Sequence, residues 1–276
     1  MKLRYGFHFS IAGGLPLAIH RALRLGCNSI QIFTSNPRSL FGRELNEEEI
    51  REFVELKKIH DVLPVVVHVN YLINLASNRN FYRSFEALFC EYERAIRIGA
   101  DYVVLHPGST SSSRGEGIIR LAFTLNRLFE HYDTGPVILI ENTPGGGSQI
   151  GSNFYDILDI IGATIESSRV GVCFDTAHAF QAGYPIHTLE GFYGLMEELE
   201  RIGLLDKIML VHFNDSKTDF GSHKDRHWHL GDGKIGKAMK TIMKFFVKMG
   251  VPFIMETPWG EEEDRKNLAM FIDWMK

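Results

Sequence analysis

The sequence predicts an α/β fold, a single-domain (β/α)8 or TIM barrel spanning residues 1–276, on three observations. Short runs rich in Val, Ile and Leu alternate with longer amphipathic stretches along the chain. Most runs are continuously apolar, as expected for parallel strands covered on both faces. Eight strand–helix units in about 250 residues are the inventory of this barrel. No linker or change of composition divides the chain, which favours one domain.

Eight strands are predicted, and each is a short apolar run: 4–9, 29–33, 64–68, 102–106, 137–141, 170–175, 207–213 and 252–256. An open, doubly wound sheet is the alternative arrangement of such runs. It is disfavoured because the Gly-rich dinucleotide-binding turn is missing after the first strand.

Eight helices are predicted from the amphipathic stretches: about 14–26, 46–60, 81–99, 117–131, 152–162, 188–203, 235–249 and 261–275. Asn46 is the predicted N-cap of the second helix, with Glu49 three residues on as in a capping box. Gly99 is a natural stop for the third helix. The acidic run 261–264 suits the first turn of the last helix, where negative charge meets the helix dipole.

Composition limits the function classes. The chain has 30 Lys and Arg against 34 Asp and Glu, a formal net charge of −4, which taken alone disfavours nucleic acid or an anionic membrane as a partner. Cys27, Cys90 and Cys173 lie far apart, which suits buried packing in a reducing compartment and excludes a cysteine-built metal site. No signal peptide or membrane-spanning run is apparent, so a cytoplasmic protein with no membrane partner is expected.

The polar residues that end the predicted strands are the informative feature. The first strand ends near His8, and six later strands end at His68, His106, Glu141, Asp175, His212 and Glu256, spaced one βα unit apart. In a barrel these ends converge on the face that carries catalysis. A single His could be an ordinary hydrogen-bonded barrel residue, and a single Asp could cap a helix. Six together predict a metal site, because carboxylates crowded in one cleft need compensating charge.

Two further pairs extend the predicted site. Asp175 and His178 stand three residues apart, and Asp225 and His227 stand two apart, so that an extended backbone would point both side chains the same way. Either pair could instead belong to a solvated polar loop. With them the candidates number nine, too many for one tetrahedral ion, so two or three ions are implied. Mixed His and carboxylate ligands suit zinc, or failing that manganese, iron or cobalt.

The remaining histidines are weaker candidates. Four of them fall in helical or turn positions and are expected to be surface groups: His20, His60, His131 and His187. His223 and His229 flank the Asp225–His227 pair. They could contact substrate, support a ligand from behind, or simply be exposed to solvent.

The motifs that contain these residues resemble the endonuclease IV family. They are HVNYLINLAS (68–77), HPGS (106–109), ENTPGGGSQIG (141–151), VGVCFDTAHAFQAGY (170–184), HFNDSK (212–217), DRHWHLGDGKIG (225–236) and MET (255–257). The opening GFHFSIAGG (6–14) also fits the start of that family. The resemblance covers essentially the whole chain and implies a zinc-dependent apurinic/apyrimidinic endonuclease of base-excision repair.

The resemblance implies three zinc ions per chain, with Mn²⁺ or Fe²⁺ as possible substitutes. His68, His106 and Glu141 would hold the first ion. Glu141 would bridge to a second, completed by Asp175, His212 and Glu256. His178, Asp225 and His227 would hold the third ion.

The implied reaction is hydrolysis of the phosphodiester bond 5′ to an abasic site in duplex DNA, leaving a 3′-hydroxyl and a 5′-deoxyribose phosphate. Glu141 and Glu256 would be the catalytic carboxylates, orienting a hydroxide shared by two ions. The third ion would stabilise charge on the departing 3′ oxygen. Trimming of 3′ ends is expected as a second activity, and a monomer without an obligatory protein partner would suffice.

The family's damage recognition implies DNA-binding roles for Arg38, Tyr71 and Leu72, which would fill the gap in the base stack. Tyr71 and Leu72 could instead pack their own loop. The chain departs from the family pattern at Pro144 and Gly146 and at Ser39-Leu40, which bears on DNA affinity rather than on the ligands.

Two other functions compete with a DNA phosphodiesterase. A divalent-metal sugar isomerase or epimerase on the related barrel would need only one or two ions. It has no obvious use for the third ligand set or for Arg38 and Tyr71. A zinc-storing or scaffold protein is disfavoured by a complete, cleft-facing ligand set.

The metal ions change what the net charge implies. Three divalent ions would turn the formal −4 into +2 before any hydroxide is counted. Lys217, Lys224 and Arg226 lie close in sequence to predicted ligands and would add to that positive field. With its ions counted, the chain is compatible with DNA.

Overall fold

A closed barrel of eight parallel strands forms the centre of the protein, whose computed structural model describes residues 2–42 and 44–276. The barrel strands are β1 (Tyr5–His8), β2 (Ser29–Ile32), β3 (Val65–His68), β4 (Tyr102–Leu105), β5 (Val137–Glu141), β6 (Val170–Asp175), β7 (Ile208–His212) and β10 (Phe253–Met255). Each pairs with its neighbours along the chain, and β1 pairs with β10 to close the ring. The predicted barrel is therefore confirmed.

Helices surround the barrel, one or two after each barrel strand. They are α1 (Pro16–Leu25), α2 (Glu47–Ile59), α3 (Phe81–Arg97), α4 (Arg114–His131), α5 (Phe154–Gly162), α6 (Thr176–Ala182), α7 (Leu189–Arg201), α8 (Ala238–Met249) and α9 (Glu261–Met275). The Asn46 side chain accepts hydrogen bonds from the backbone N–H of Glu48 and Glu49, which confirms the predicted N-cap. None of the described helices combines the length and apolar character needed to cross a membrane.

Two elements fall outside the sequence prediction, and both follow predicted ligands. Helix α6 begins directly after Asp175, whose side chain accepts from the His178 N–H as the N-cap. Strands β8 (Asp215–Ser216) and β9 (His227–Trp228) form an antiparallel hairpin outside the barrel. Two-residue strands carry too little hydrophobic periodicity to be recognised in a sequence.

The core has an inner and an outer layer, as alternation along each strand requires. A small cluster fills the barrel interior: Val66, Val104, Leu139, Cys173, Leu210 and Ile254. The alternate strand residues, such as Val65 and Val67, join the larger cluster between the strands and the helices. A Cβ at Gly6 in β1 would collide with the Ser29 carbonyl oxygen, so this barrel position requires glycine.

The cysteine prediction needs one correction. Cys27 and Cys173 are buried, whereas Cys90 is exposed. Cys90 lies on α3, whose buried face is made by residues such as Ala87, Leu88 and Glu91, so its side chain points away from the barrel.

Candidate metal centre

The six predicted ligands at strand ends converge because each stands two positions after a residue of the barrel interior. Leu139 is followed in this way by Glu141, and Leu210 by His212. Side chains two apart on a strand point to the same face, so the strand that packs an apolar residue into the barrel aims its ligand above it. The ligands therefore form the next layer, at the carboxyl ends of the strands.

The first group joins His68, His106 and Glu141. The Nε2 atoms of both histidines lie 3.2 Å from Oε2 of Glu141. Glu141 is completely buried, and His68 is nearly so. His106 lies at the mouth with a quarter of its side chain exposed, which leaves one side of this group open to solvent.

The second group joins Glu141, Asp175, His212 and Glu256. Nδ1 of His212 lies 3.0 Å from Oε1 of Glu141, 3.3 Å from Oε2 of Glu256 and 4.0 Å from Oδ2 of Asp175. Glu141 thus presents one carboxylate oxygen to each of the first two groups. The Sγ atom of Cys173 lies close to Glu141 and His212 as well, a neighbour that the sequence did not indicate as part of the site.

The third group is centred on His178 and His227, whose Nε2 atoms lie 3.3 Å apart. Oδ1 of Asp225 lies 3.3 Å from Nε2 of His178 and 3.6 Å from Nε2 of His227. Asp175 also reaches this group, with Oδ2 3.5 Å from Nε2 of His227. All nine predicted ligands are therefore brought together, and Asp175 lies between the second and third groups as Glu141 does between the first and second.

Backbone carbonyls set the orientation of three of the imidazoles. Nδ1 of His68 donates to the Val69 carbonyl at 2.8 Å, and Nδ1 of His178 donates to the Asn142 carbonyl at 2.9 Å. Nδ1 of His227 donates to the Glu256 carbonyl at 3.2 Å. A carbonyl can only accept, so each ring keeps a proton on Nδ1 and turns Nε2 toward the carboxylates, where its lone pair can bind a cation, as in metal-ligating histidines.

Gln31 orients the fourth imidazole and was missed by the sequence analysis. Its Oε1 accepts from Nε2 of His212 at 2.8 Å, which leaves Nδ1 of His212 for the second group. Its Nε2 donates to Oε1 of Glu256 at 2.5 Å and lies 3.0 Å from Nδ1 of His8. The available signal in the sequence was a polar amide within the apolar run SIQIF, and the structure shows that this side chain is fully buried.

Two asparagines fix Asp175. Asn142 Oδ1 accepts from the Asp175 N–H at 2.8 Å, and Asn142 Nδ2 donates to its carbonyl at 3.0 Å. Asn214 Nδ2 donates to Oδ2 of Asp175 at 2.8 Å. Each asparagine stands one or two residues after a candidate ligand in the sequence. A polar residue at that position was therefore the sequence signal for a side chain that hydrogen-bonds to the ligands.

Within the cluster, neighbouring charges shift the pKa values of the buried groups more strongly than burial does. Burial would raise the pKa of Glu141, but His106 and His212 hold that pKa well below its usual range. Burial would lower the pKa of His178, but Asp175 and Asp225 raise it well above its usual range. The buried carboxylates thus require positive charge beside them, which protonated imidazoles or bound cations can supply.

The donor set fits divalent transition-metal ions in type and spacing. Two ligand atoms each about 2.0–2.2 Å from one tetrahedral zinc lie roughly 3.3–3.6 Å apart. Several contacts between ligand atoms fall in or near this range, at 3.2 Å for His68 and Glu141, 3.3 Å for His212 and Glu256, and 3.6 Å for His227 and Asp225. Such sites are typically built from imidazole and carboxylate ligands that are themselves hydrogen-bonded to neighbouring groups.

The three residues predicted to bind DNA are exposed around this centre. Tyr71 and Leu72 are 62% and 48% exposed, so about half or more of each side chain is open to solvent. The Tyr71 ring meets Phe33 edge-on at 5.5 Å and borders the cavity of about 340 Å³ above the ligands. Arg38 is exposed on the neighbouring loop, where its backbone N–H donates to Asn36.

The two loops in which the sequence departs from the family pattern are held in place by local hydrogen bonds. The Pro144 carbonyl accepts from Nδ1 of His223 at 2.8 Å, which places His223 against that loop. The Ser39 hydroxyl donates to the Phe41 carbonyl, and the Asn70 amide donates to the Ser39 carbonyl. His229 accepts from Asn267 of α9, a contact with the fold rather than with the cavity.

Basic side chains lie beside the third group. Lys217, Lys224 and Arg226 are exposed and border one cavity of about 490 Å³. The Lys217 ammonium lies 4.3 Å from the centroid of the Trp228 ring. The sequence placed these cations near ligands, and the fold gathers them on one side of the mouth.

Comparison with known proteins places this site in context. A family model described as "Xylose isomerase-like TIM barrel" matches residues 19–276. "Probable endonuclease 4" from Halothermothrix orenii is 42% identical over 267 residues, which cover 95% of this chain and 96% of the relative. "Endonuclease 4" from Thermus thermophilus is 38% identical over 280 residues, which cover 99% and 98%.

Solved structures agree with the sequence relatives. The crystal structure of endonuclease IV from Thermus thermophilus superposes with a TM-score of 0.89 at 36% identity, over 99% of this chain and 98% of the other. A D-tagatose 3-epimerase-like protein superposes with a TM-score of 0.75 at 22% identity, over 99% and 97%. At that identity the second likeness concerns the fold alone.

Proposed function

The chain belongs to the endonuclease IV family, and from this membership we propose that it is a DNA-repair endonuclease acting at abasic sites in duplex DNA. It would hydrolyse the phosphodiester bond 5′ to the abasic sugar and leave a 3′-hydroxyl and a 5′-deoxyribose phosphate. One observation carries the proposal beyond the family name. Nine candidate ligands in three connected groups lie at the end of the barrel from which the loops carrying exposed Arg38, Tyr71 and Leu72 extend, and Tyr71 borders the cavity above them.

Three zinc ions are the proposed cofactor, with Mn²⁺ or Fe²⁺ as substitutes. His68, His106 and Glu141 would hold the first, and Glu141, Asp175, His212 and Glu256 the second. His178, Asp225 and His227 would hold the third, with Asp175 adjacent. Bound ions of this kind supply a nucleophile from water near neutral pH and neutralise charge on phosphoryl oxygens.

Glu141 and Glu256 are the proposed catalytic carboxylates, and their surroundings suit that role. Glu141 reaches two ligand groups with its two oxygens, so it fixes their separation. Glu256 borders the open cavity, and Gln31 and His8 hold its other oxygen. Both carboxylates are fixed before substrate arrives, which lowers the reorganisation that the reaction requires.

The rim would recognise the damaged duplex. Tyr71 and Leu72 are exposed apolar side chains that can enter a gap in a base stack, and Arg38 supplies a cation beside them. Lys217, Lys224 and Arg226 would meet phosphates on the side of the third group. We also propose 3′-end trimming, since that reaction breaks the same class of bond at the same centre.

The sugar isomerase or epimerase remains the alternative on this barrel, but two features favour the nuclease. The third ligand group and the exposed rim have no obvious use with a small sugar. The likeness to the epimerase-like protein, at 22% identity, concerns the fold and supports neither substrate.

A nicking assay tests the proposal. Purified protein should cut a duplex that carries one tetrahydrofuran abasic analogue, on its 5′ side, and should spare the intact duplex. A strong chelator should abolish cutting, and elemental analysis should give about three zinc ions per chain. A 3′-blocked primer in the same assay tests trimming, and sedimentation tests the expected monomer. Full activity without metal, or equal cutting of intact duplex, would contradict the proposal.

A further inference from the structure

Trp259 is an exposed aromatic residue that the proposed reaction does not use. It lies in the loop between Glu256 and α9 and is 87% exposed, more than any other large apolar side chain of the described residues. Trp274, in contrast, packs against Phe213 in the core. The Trp259 side chain has no ring contact or hydrogen bond within residues 2–42 and 44–276, so the fold does not account for its size.

Trp259 stands where two cavities adjoin. One is the cavity of about 340 Å³ above the ligands, and the other has about 810 Å³ and lies between the loops that follow β1 and β2. His8, Phe33 and Trp259 line both. A continuous groove therefore leads from the candidate metal centre past two aromatic rings, and its second half contains no predicted ligand.

The chemistry of the second cavity suits an uncharged planar ring better than a phosphate. Its lining combines apolar residues such as Phe9 and Ile11 with uncharged polar residues such as Ser10 and Asn36, and Glu49 supplies a carboxylate. None of its described lining residues is Lys or Arg, and Asp264 lies nearby in the first cavity. A phosphate would find positive charge instead at the separate cavity that Lys217, Lys224 and Arg226 border.

We propose that Trp259 stacks on an unpaired nucleobase of the bound DNA, which enters the cavity between the β1 and β2 loops. This inference rests on the proposed function, since it takes damaged duplex DNA as the substrate. Damage that removes one base leaves its partner unpaired and its neighbours less stacked, so such a base is available at low cost. Aromatic side chains bind bases through their faces without reading sequence.

Binding is measured with a duplex whose tetrahydrofuran site carries a non-hydrolysable methylphosphonate on its 5′ side. Trp259→Ala should weaken binding about tenfold, within the range found for aromatic–base stacking, and Trp259→Phe should retain most of the affinity. The matched control is Tyr82→Ala, which removes an 81% exposed ring of α3 that lines neither of these two cavities. In turnover on the cleavable duplex, Trp259→Ala should raise KM about tenfold and change kcat less than about twofold.

Fluorescence identifies the base. Duplexes carry 2-aminopurine opposite the abasic analogue, or as its 5′ or 3′ neighbour. Opposite the analogue, where the base has lost its partner, the emission should change with wild-type protein and with Trp259→Phe but not with Trp259→Ala. A Trp259-dependent change confined to the 5′ or 3′ neighbour, which keeps its own partner, would contradict the proposal.

The outcomes separate this inference from the proposed function. If wild-type protein neither binds nor cuts abasic duplex, the proposed function fails and this inference fails with it. If wild-type protein cuts normally and Trp259→Ala matches it in affinity and at every 2-aminopurine position, only the stacking role is wrong. Equal losses in Trp259→Ala and Tyr82→Ala would also overturn it.

Discussion

At the scale of single residues, the metal centre depends on shared carboxylates. Glu141 contacts ligand atoms of the first and second groups, and Asp175 those of the second and third. Each is fully buried, and Asp175 also accepts from the Asn214 amide and the His178 N–H. Carboxylates in such a position are tolerated only beside positive charge, so the cluster is built for cations rather than for fold stability.

Removing one ligand should abolish activity without unfolding the protein. Glu256→Gln or His227→Ala should each lower the rate of abasic-site nicking by orders of magnitude, because each removes a donor from one group. The circular dichroism spectrum should stay unchanged, since both residues lie at the solvent-facing layer of the barrel end. Glu262→Gln, an exposed carboxylate on α9, is the control and should nick normally. Near-normal nicking by Glu256→Gln would contradict its catalytic assignment.

Gln31 should act through His212 and Glu256, as a positioning residue. Gln31→Met keeps the side-chain volume but removes both hydrogen bonds, and it should lower zinc affinity or kcat about 10–100-fold. Competition with a zinc chelator measures the affinity independently of turnover. Ser29→Ala in the same strand removes a hydrogen bond to the Pro64 carbonyl, away from the ligands, and should leave zinc affinity unchanged. Equal effects of the two changes would argue against a positioning role.

At the scale of elements, loops that carry function are tied to the barrel by buried polar groups. The loop after β2, which carries Arg38, is held at its base by α3. The carboxylate of Glu91, buried in α3, accepts from the hydroxyls of Thr34 and Ser35, and Arg94 donates to the Thr34 carbonyl. The end of this loop that carries Arg38, the proposed DNA contact, can therefore be exposed while its base is fixed.

The hairpin that carries His227 is tied through Asp215. The buried Asp215 carboxylate accepts from five backbone N–H groups: those of Ser216, Gly231, Gly233, Ile235 and Gly236. A Cβ at Gly233 would collide with the Asp215 carboxylate, so this loop requires glycine there. The segment 230–236 thus wraps around one carboxylate and fixes strand β9 beside the barrel mouth.

Asp215→Asn should loosen that segment. An amide offers one acceptor oxygen and turns an NH₂ group toward backbone donors, so stability should fall by at least about 2 kcal/mol. Thermal unfolding measures the loss, and zinc content should fall most at the third group. The control is Asp232→Asn, a residue of the same segment outside this hydrogen-bond set, which should change stability by no more than about 0.5 kcal/mol. Equal stability of the two variants would refute the anchoring role of Asp215.

At the scale of the whole molecule, the cations are distributed over both ends of the barrel. Lys217, Lys224 and Arg226 border the mouth, where bound cations would add to their field. Cations such as Lys58, near the C-terminal end of α2, lie at the opposite end, because each helix returns the chain to the start of the next strand. The formal net charge of −4 therefore says little about the surface that DNA would meet.

The salt dependence of DNA binding should report on that surface. Lys224→Ala should weaken binding to abasic and intact duplex alike and reduce the slope of log K against log salt by about 1, as for a lost phosphate contact. Fluorescence anisotropy at several salt concentrations gives the slope. Lys58→Ala serves as the control at the far end and should leave the slope unchanged. A slope for Lys224→Ala equal to that of wild type would place the phosphates elsewhere.

The sequence by itself determined the barrel, its eight strands and the nine candidate ligands. Continuous Val and Ile runs specify buried parallel strands, and parallel strands in a barrel bring their ends to one face, so polar residues at those ends were visible as one site. Asn46 and Gly99 marked helix ends because caps are local in sequence.

Only the tertiary structure decided which residues share a group and what holds them. Asp175 reaches the third group because α6 and the hairpin of β8 and β9 turn His178 and His227 toward it. Gln31 meets His212 across 181 residues of sequence, and Trp259 lines a cavity together with the β1 and β2 loops only because the barrel closes. Periodicity and spacing describe contacts along one element, whereas these contacts depend on packing between elements distant in the chain.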